Sequence, residues 1–527
     1  MIKKFKWLLL VSLTFVACNS DDETIVVSNS SDGLPLTAGS ADFSKYVALG
    51  DSFAAGYSDG ALFVKGQEGA YPNVLAQQFA LVGGGAFVTP LMADNIGGFS
   101  LAGSQIPQFG RRMYFGKATN SDFDEPIAVS GVSSTDVSAR LSGAYNNLGV
   151  AGAKCIQLVT PGFGSSAGNP YFARFASSAS TTVLADALTQ NPTFFSLWIG
   201  GNDVLGYALA GGDATINPLT PSTGGIGVGF DASYNELVNK LTTGGRKGVI
   251  ANLPYITALP QFAYLQPSFV DTFKYYPDGD EKLKTRVVSA GDVATINSIN
   301  SILGFLDQVL TAYGQGSRIN VLSSATGATN PVLIKDETLV NYSAQITGAA
   351  AGSGNPMLMA LANYLGATFG KVRQTATGDL IPLVSSSVIG TAATLPPGVP
   401  SNLGAYGITY PLEDKHILIP SEISEIIAAT DAYNLTIKAV ADAKGLAFVD
   451  TKAIMNQLVN GGISANGFTV TATFVTGGGF SLDGIHPSPR GYALIANKFI
   501  EAINTTYGSN LKGVDLSNYR ILFPSTL

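Results

Sequence analysis

The sequence predicts an α/β fold in which helices cover both faces of a parallel sheet. From about residue 42 onward, short apolar or β-branched runs alternate with stretches of helical spacing, which is typical of such sheets. Polar motifs follow several of these runs, where ligands of α/β sheets gather. An outer-membrane barrel would need about eight alternating segments of about ten residues, whereas only short pieces such as 469–475 alternate. The 527 residues could form two domains, but the pattern favours one domain, 43–527, with insertions.

The elements of this domain can be placed in chain order. Short apolar runs predict strands at 46–49, before the glycine motif at 148–153, and at 194–199, 248–252 and 446–450. Helical spacing predicts helices at 71–81, 234–241, 294–312, 421–443 and 489–503, the last of which begins with a proline. The sheet should therefore have about five parallel strands. Large insertions are expected at about 255–290 and 320–420, either as walls or a lid for a groove or as structural padding.

The N-terminus predicts export. Three lysines precede an apolar run at 7–17 that is too short to span a bilayer and ends at Cys18. We interpret residues 1–17 as a signal peptide and residues 18–42, rich in Ser, Asp, Gly and Thr, as a flexible tether. Phe-Val-Ala-Cys at 15–18 resembles a bacterial lipobox, which implies lipid attachment at Cys18.

The acidic residues after Cys18 bear on the location of the protein. Residues 19–23 resemble the acidic tag with which one group of Gram-negative bacteria sends lipoproteins to the cell surface. The expected location is therefore the outer membrane, exposed on the cell surface. Alternatively, residues 19–23 are only a solvent-exposed acidic segment without a targeting role.

Charge and cysteine content narrow the possible partners. The formal net charge is −7, and removal of three lysines with the signal peptide makes the chain more acidic, so nucleic acid is not an expected partner. Only Cys155 remains once Cys18 carries lipid, which excludes an internal disulfide, and its apolar neighbours predict a buried side chain. With two histidines and one free cysteine, neither a metal nor an organic cofactor is indicated. We expect a monomer.

The histidine shortage draws attention to one segment near the C-terminus. One of the two histidines, His486, stands three residues after Asp483, and Ser52 follows the first predicted strand in Gly-Asp-Ser. A hydroxyl nucleophile needs a base to take its proton, and the base needs an orienting carboxylate. Ser52, His486 and Asp483 therefore form a candidate catalytic triad. A surface histidine ahead of a helix is the alternative for His486.

Four motifs occur in a fixed order: Gly-Asp-Ser at 50–52, Leu-Gly-Val-Ala-Gly-Ala at 148–153, Gly-Gly-Asn-Asp at 200–203 and the segment 483–486. As an ordered set spanning residues 45 to about 508, they resemble the SGNH hydrolases, also called the GDSL esterase and lipase family. The resemblance implies a three-layer α/β/α flavodoxin-like fold and an oxyanion hole made by the backbone N–H groups of Ser52 and Gly152 and the side-chain amide of Asn202. Such donors stabilise the tetrahedral intermediate of acyl transfer.

Each motif also has a plainer interpretation. Gly149 is the alternative to Gly152 as the glycine of the oxyanion hole, and both glycines could simply allow a turn between strand and helix. Asn202 could form an Asx turn at a strand end, and Asp203 is expected to brace the loop. Ser166 lies in a Gly-x-Ser-x-Gly sequence at 164–168, but an α/β-hydrolase elbow needs a strand before it and a helix after it, and glycines and prolines surround this one.

The resemblance to the SGNH hydrolases implies a serine esterase or lipase, and the lipobox-like segment implies that it is lipid-anchored. Low charge and large insertions favour lipid or other fatty acyl esters as substrates, and O-acetyl groups on polysaccharides are the alternative within the enzyme class. A surface lipoprotein that binds glycan or lipid without turnover is the alternative outside it. His416 lies among charged residues and is expected in a solvated loop or as a groove contact.

Overall fold

The structure is a computed structural model, which describes residues 34–118, 124–265, 290–325 and 330–527. The predicted signal peptide, Cys18, most of the predicted tether and most of the first insertion lie outside the described residues. No described helix combines the length and the apolar character needed to cross a membrane.

The centre of the fold is a five-stranded, all-parallel sheet, which confirms the predicted fold class. Its strands in chain order are β1 (Tyr46–Gly50), β2 (Asn147–Gly149), β3 (Phe194–Trp198), β4 (Lys247–Ala251) and β5 (Ala447–Val449). Their order across the sheet is β2-β1-β3-β4-β5, the order of flavodoxin-like sheets. Every residue of β1 and β3 is buried, as expected for strands covered on both faces. From β1 the chain adds β2 on one side, and it then adds β3, β4 and β5 on the other side. Ligands of such folds bind at this change of side, between β1 and β3.

Helices cover both faces and make three layers. The helices around the sheet are α1 (Ser52–Ala55), α2 (Tyr71–Ala80), α3 (Val183–Thr189), α4 (Gly201–Leu209), α5 (Phe230–Leu241), α6 (Pro420–Lys444), α7 (Thr451–Val459) and α8 (Pro489–Tyr507). Helices α2 and α8 pack together on one side, while α5 packs with α3 and α6 on the other. Short helices at Val64–Glu68, Pro170–Ala173 and Pro260–Ala263 lie in connecting segments.

The predicted bounds differ from the observed ones mainly at helix ends. Helix α5 begins at Phe230, four residues before the predicted start at 234, because its buried face already includes Phe230 and Ser233. Helix α8 continues from the predicted end at 503 to Tyr507, where Gly508 adopts a left-handed conformation with φ of 68°. Such a conformation is the usual helix stop.

An apolar cluster separate from the core of the sheet combines residues of the second predicted insertion, 320–420, with residues 296–319 before it. Helices Ala290–Ala312, Ser343–Ala351 and Pro356–Phe369 surround it, and the strands Leu333–Lys335 and Val372–Gln374 form an antiparallel pair beside it.

Outside this region, further antiparallel pairs join Ser100–Leu101 with Ser104–Gln105, Met113–Lys117 with Asp124–Ala128, and Ile463–Ala465 with Phe468–Val470.

Part of the segment predicted as tether is bound to the domain. The backbone N–H of Thr37 donates to Asn510 Oδ1 at 2.7 Å, and that of Ser40 donates to the Tyr507 carbonyl at 2.8 Å. Lys247 Nζ donates to the Ser40 carbonyl at 2.5 Å. Residues 37–41 therefore connect the C-terminal end of α8 to Lys247, the first residue of β4.

Candidate active site

Ser52 lies on a sharp turn between β1 and α1. Asp51 caps this one-turn helix, since its carboxylate accepts the Phe53 N–H at 2.9 Å. Burial raises the pKa of Asp51 to about 7 against the lowering effect of that hydrogen bond. The helix ends after Ala55 because Gly56 has a left-handed conformation with φ of 84°. The hydroxyl of Ser52 is thus held at the carboxyl edge of the sheet, with 6% of the residue exposed.

His486 lies in a tight turn that ends where α8 begins. The Ser481 N–H donates to the His486 carbonyl at 2.8 Å. Asp483 Oδ1 accepts the backbone N–H groups of Ile485 and His486 at 2.9 and 2.8 Å. Ser488 then caps α8 by accepting the Gly491 N–H at 3.0 Å. The acid, the base and the start of the last helix are therefore one local unit.

The structure brings Ser52, His486 and Asp483 into one hydrogen-bonded chain. Ser52 Oγ lies 2.8 Å from His486 Nε2, and His486 Nδ1 lies 2.9 Å from Asp483 Oδ2. Burial alone would raise the pKa of Asp483, but the facing imidazole and the backbone donors outweigh it and lower the pKa to about 2. The carboxylate is thus ionised at neutral pH and can orient the histidine and stabilise its charged form.

Residues 58–60, which sequence reasoning missed, connect the serine helix to the histidine turn. The Gly60 N–H donates to Asp483 Oδ2 at 2.9 Å, the Asp59 N–H donates to Ser481 Oγ at 3.0 Å, and Asp59 Oδ1 accepts the Leu482 N–H at 3.0 Å. Asp59 has a left-handed backbone with φ of 51°, which Asp tolerates better than most residues. The Asp-Gly pair at 59–60, a turn signal, was the available cue.

The glycine motif follows β2, the neighbour of β1. Gly149 pairs with Gly50 across the two strands, and a Cβ on Gly149 would lie 2.3 Å from the Ala55 N atom, so this glycine allows α1 to pack closely. Gly152 has φ of 79°, and a Cβ there would meet nothing within 4 Å. The described residues offer no acceptor to the N–H of Ser52 or of Gly152. Both groups are thus available to an oxyanion.

Asn202 lies in the first turn of α4, directly after β3. One N–H of its amide donates to the Ala153 carbonyl at 3.0 Å, which orients the side chain beside the glycine motif and leaves the second N–H. Asp203 is fully buried and accepts the Cys155 N–H at 2.8 Å, so it braces this loop. Burial raises the pKa of Asp203 to about 6 despite that bond, and it also raises the pKa of the buried Cys155 thiol.

A cleft of about 960 Å³, open to solvent, extends from this edge of the sheet. Ser52 and Asn202 line it, together with Trp198, the loop after β4, and residues of α7 and α8. This volume includes the open solvent at the mouth of the cleft. The described residues of the second insertion contribute nothing to its lining.

The two remaining sequence candidates lie apart from this set. Ser166 is exposed, and the element before its loop is the 3₁₀ helix Cys155–Val159 rather than a strand, so the local structure is not a nucleophile elbow. His416 is partly buried in the 3₁₀ helix Asp414–His416 and does not line the cleft. Burial and the nearby Lys415 lower the pKa of His416.

Three carboxylates outside the cleft lie close enough together to hold a metal ion. One oxygen each of Glu337, Asp414 and Glu422 lies within 4.8 Å of the others. Burial, with the mutual repulsion of these groups, raises the pKa of Asp414 to about 7 and that of Glu422 to about 8. Protons can therefore relieve the repulsion, and the cluster requires no metal.

In comparisons with protein-family models, curated proteins and solved structures, the chain has no significant match.

Proposed function

We propose that the protein is a serine esterase or lipase that hydrolyses carboxylic esters through an acyl-enzyme on Ser52. The observation that carries this proposal is the chain from Ser52 Oγ through His486 to Asp483, with distances of 2.8 and 2.9 Å. A histidine hydrogen-bonded on one side to a hydroxyl and on the other to an ionised carboxylate is the arrangement that activates a serine.

Each group has a role in the reaction. Ser52 Oγ attacks the acyl carbon while His486 Nε2 takes its proton, and Asp483 keeps the Nδ1–H oriented and stabilises the imidazolium. The N–H groups of Ser52 and Gly152 and the free amide N–H of Asn202 bind the oxyanion. His486 then donates the proton to the leaving alcohol. A water molecule activated by the same histidine releases the carboxylic acid and restores Ser52.

The apolar cleft supports lipid or fatty acyl esters over O-acetyl polysaccharide, because its walls offer few partners for sugar hydroxyls. On the sequence evidence the enzyme is also proposed to be a monomeric lipoprotein, held through Cys18 on the outer membrane and exposed on the cell surface. A lipoprotein that only binds glycan or lipid would not need a serine so placed.

The first test is covalent labelling by a fluorophosphonate of residues 19–527, the protein without its signal peptide and Cys18, followed by measurement of the intact mass. We expect one adduct, which is lost in Ser52→Ala and kept in Ser166→Ala. Hydrolysis of p-nitrophenyl esters should disappear in the same variant while its circular dichroism stays unchanged. Absence of an adduct on the folded protein would reject the proposal in favour of a binding protein.

A further inference from the structure

The cleft beside Ser52 continues between two helices that start at the same edge of the sheet. Helix α7 begins just after β5, and α8 begins just after the histidine turn. Each presents residues at i, i+3, i+4 and i+7 to the cleft, starting at Thr451 in α7 and at Gly491 in α8. These spacings mark one face of a helix. The following lining residues are Ile454, Met455 and Leu458 on α7 and Leu494, Ile495 and Lys498 on α8.

The depth of the cleft follows from helix geometry. From the first to the last lining residue, each helix rises about 10 Å. An extended aliphatic chain of about eight carbons has the same length, given carbon–carbon bonds of about 1.5 Å. The two helical faces therefore match one unbranched chain that starts at Ser52.

Polar groups line the cleft mainly at its two ends. Ser52, Asp51 and Asn202 lie at the carboxyl edge of the sheet, and Lys498 lies at the far end. The Thr451 hydroxyl is already bonded to the Asn252 carbonyl. Between these two ends, the described residues that line the cleft have mainly aliphatic and aromatic side chains. Burial of sugar hydroxyls there would leave them without partners, whereas burial of methylene groups is favourable.

The orientation of the ester follows from the placement of His486. The leaving oxygen must face His486 Nε2, because this nitrogen returns the proton. Ser52 and Asn202 line the cleft, whereas at the histidine turn the neighbours Ile485 and Pro487 line it and His486 itself does not. The part of the ester that enters the cleft is therefore the acyl chain, and the alcohol leaves on the other side.

On the premise that the protein is the proposed esterase, we infer that the cleft between α7 and α8 is its acyl subsite. It selects single, unbranched chains of medium length, about eight carbons. Leu458 and Lys498 limit that length. The Lys498 ammonium pairs with Glu501 at 2.9 Å near solvent, so a longer chain must pass a charged group or leave the cleft.

The test is the dependence of kcat/KM on acyl length with p-nitrophenyl esters from acetyl to hexadecanoyl. We expect a rise of about fourfold per methylene up to about eight carbons, followed by a fall. Leu458→Trp should move the optimum to shorter chains and lower the octanoyl-to-acetyl ratio at least tenfold. Val459→Trp is the matched control, because Val459 is half-exposed on the same helix and does not line the cleft.

Lys498→Leu is the second variant and does not disturb the core, because the Lys498 side chain is partly exposed. It should move the optimum to longer chains. A flat profile, unchanged optima in both variants, or a preference that follows alcohol length in alkyl acetates would each overturn the inference while Ser52-dependent hydrolysis continues. The absence of all hydrolysis and of a fluorophosphonate adduct would instead reject the proposed function.

Discussion

Asp483 uses its two oxygens for two tasks. Oδ1 accepts backbone N–H groups of its own turn, and Oδ2 faces His486 Nδ1. We expect Asp483→Asn to lower kcat about 10⁴-fold with little change in KM, because an amide stabilises the wrong histidine tautomer. Steady-state kinetics with p-nitrophenyl acetate would measure this. Asp515→Asn, an exposed helix cap, is the control. Retention of a tenth of the activity would show that another group orients His486.

In the proposed mechanism, Asn202 offers its second amide N–H to the oxyanion. Its removal in Asn202→Ala should lower kcat about 10²- to 10³-fold and leave KM nearly constant, because the interaction forms in the transition state. The same assay serves as the measurement. Asn239→Ala, an exposed change on α5, should have no effect. If KM rose instead while kcat stayed constant, Asn202 would be a ground-state contact.

We infer that Asp59 positions the histidine turn, since its carboxylate accepts the Leu482 N–H. Asp59→Ala removes this acceptor, and we expect kcat to fall at least tenfold while the fluorophosphonate still labels Ser52 slowly. Asp59→Asn keeps the acceptor oxygen and tolerates the left-handed backbone, so it should recover most of the rate. Equal losses in both variants would point to the charge of Asp59 rather than its hydrogen bond.

At the scale of elements, the N-terminus of α6 carries a buried acid. Glu422 caps this helix by accepting the Ile419 N–H at 2.8 Å, and burial beside Asp414 and Glu337 raises its pKa from 4.5 to about 8. The protonated form of Glu422 therefore favours the folded state. Its contribution to stability is complete below the pKa of Glu422 in the unfolded chain, and it is lost as the pH rises through the pKa of Glu422 in the folded protein.

Glu422→Gln should therefore raise the melting temperature at pH 9 and change it little at pH 5. The glutamine oxygen can still cap α6, so the helix start is preserved. Thermal unfolding followed by circular dichroism at both pH values would measure the difference. Glu68→Gln, at an exposed ion pair with Lys65, is the control. If Glu422→Gln changed the melting temperature equally at pH 5 and pH 9, titration of Glu422 would not be the cause.

The elements also show what the sequence can and cannot predict. Ser52, Gly152 and Asn202 each follow an apolar strand, and His486 precedes a helix that begins with proline, so local cues predicted where they lie. The contact between Asp59 and Leu482 joins residues 423 positions apart, and no local pattern indicates it. The proposed acyl subsite depends likewise on the spacing of α7 and α8, which tertiary packing determines.

At the scale of the whole molecule, residues 37–41 belong to the folded domain rather than to a free linker. A chain that begins at residue 43 should be less stable than one that begins at residue 34 by about 3 kcal/mol, since each of the three hydrogen bonds described above contributes about 1 kcal/mol. Urea unfolding of both would show the difference. Equal stabilities would mean that these contacts add nothing in solution.

The lipid anchor proposed at Cys18 should be separable from the proposed ester hydrolysis. We expect Cys18→Ala to remove the protein from the detergent-extracted membrane fraction while its kcat/KM for a soluble ester stays unchanged. Cell fractionation and the p-nitrophenyl acetate assay together measure this. Membrane retention in Cys18→Ala would contradict lipid attachment at this residue.

The separation of Ser52 and His486 by 434 residues has a consequence for biosynthesis. At about 5–20 residues per second, a ribosome needs about 20–90 s to make the chain between them. During that time the nascent protein has its nucleophile but neither the base nor the carboxylate. The proposed hydrolase can therefore become active only after the ribosome has also made the histidine turn, however early Ser52 and β1 have been made.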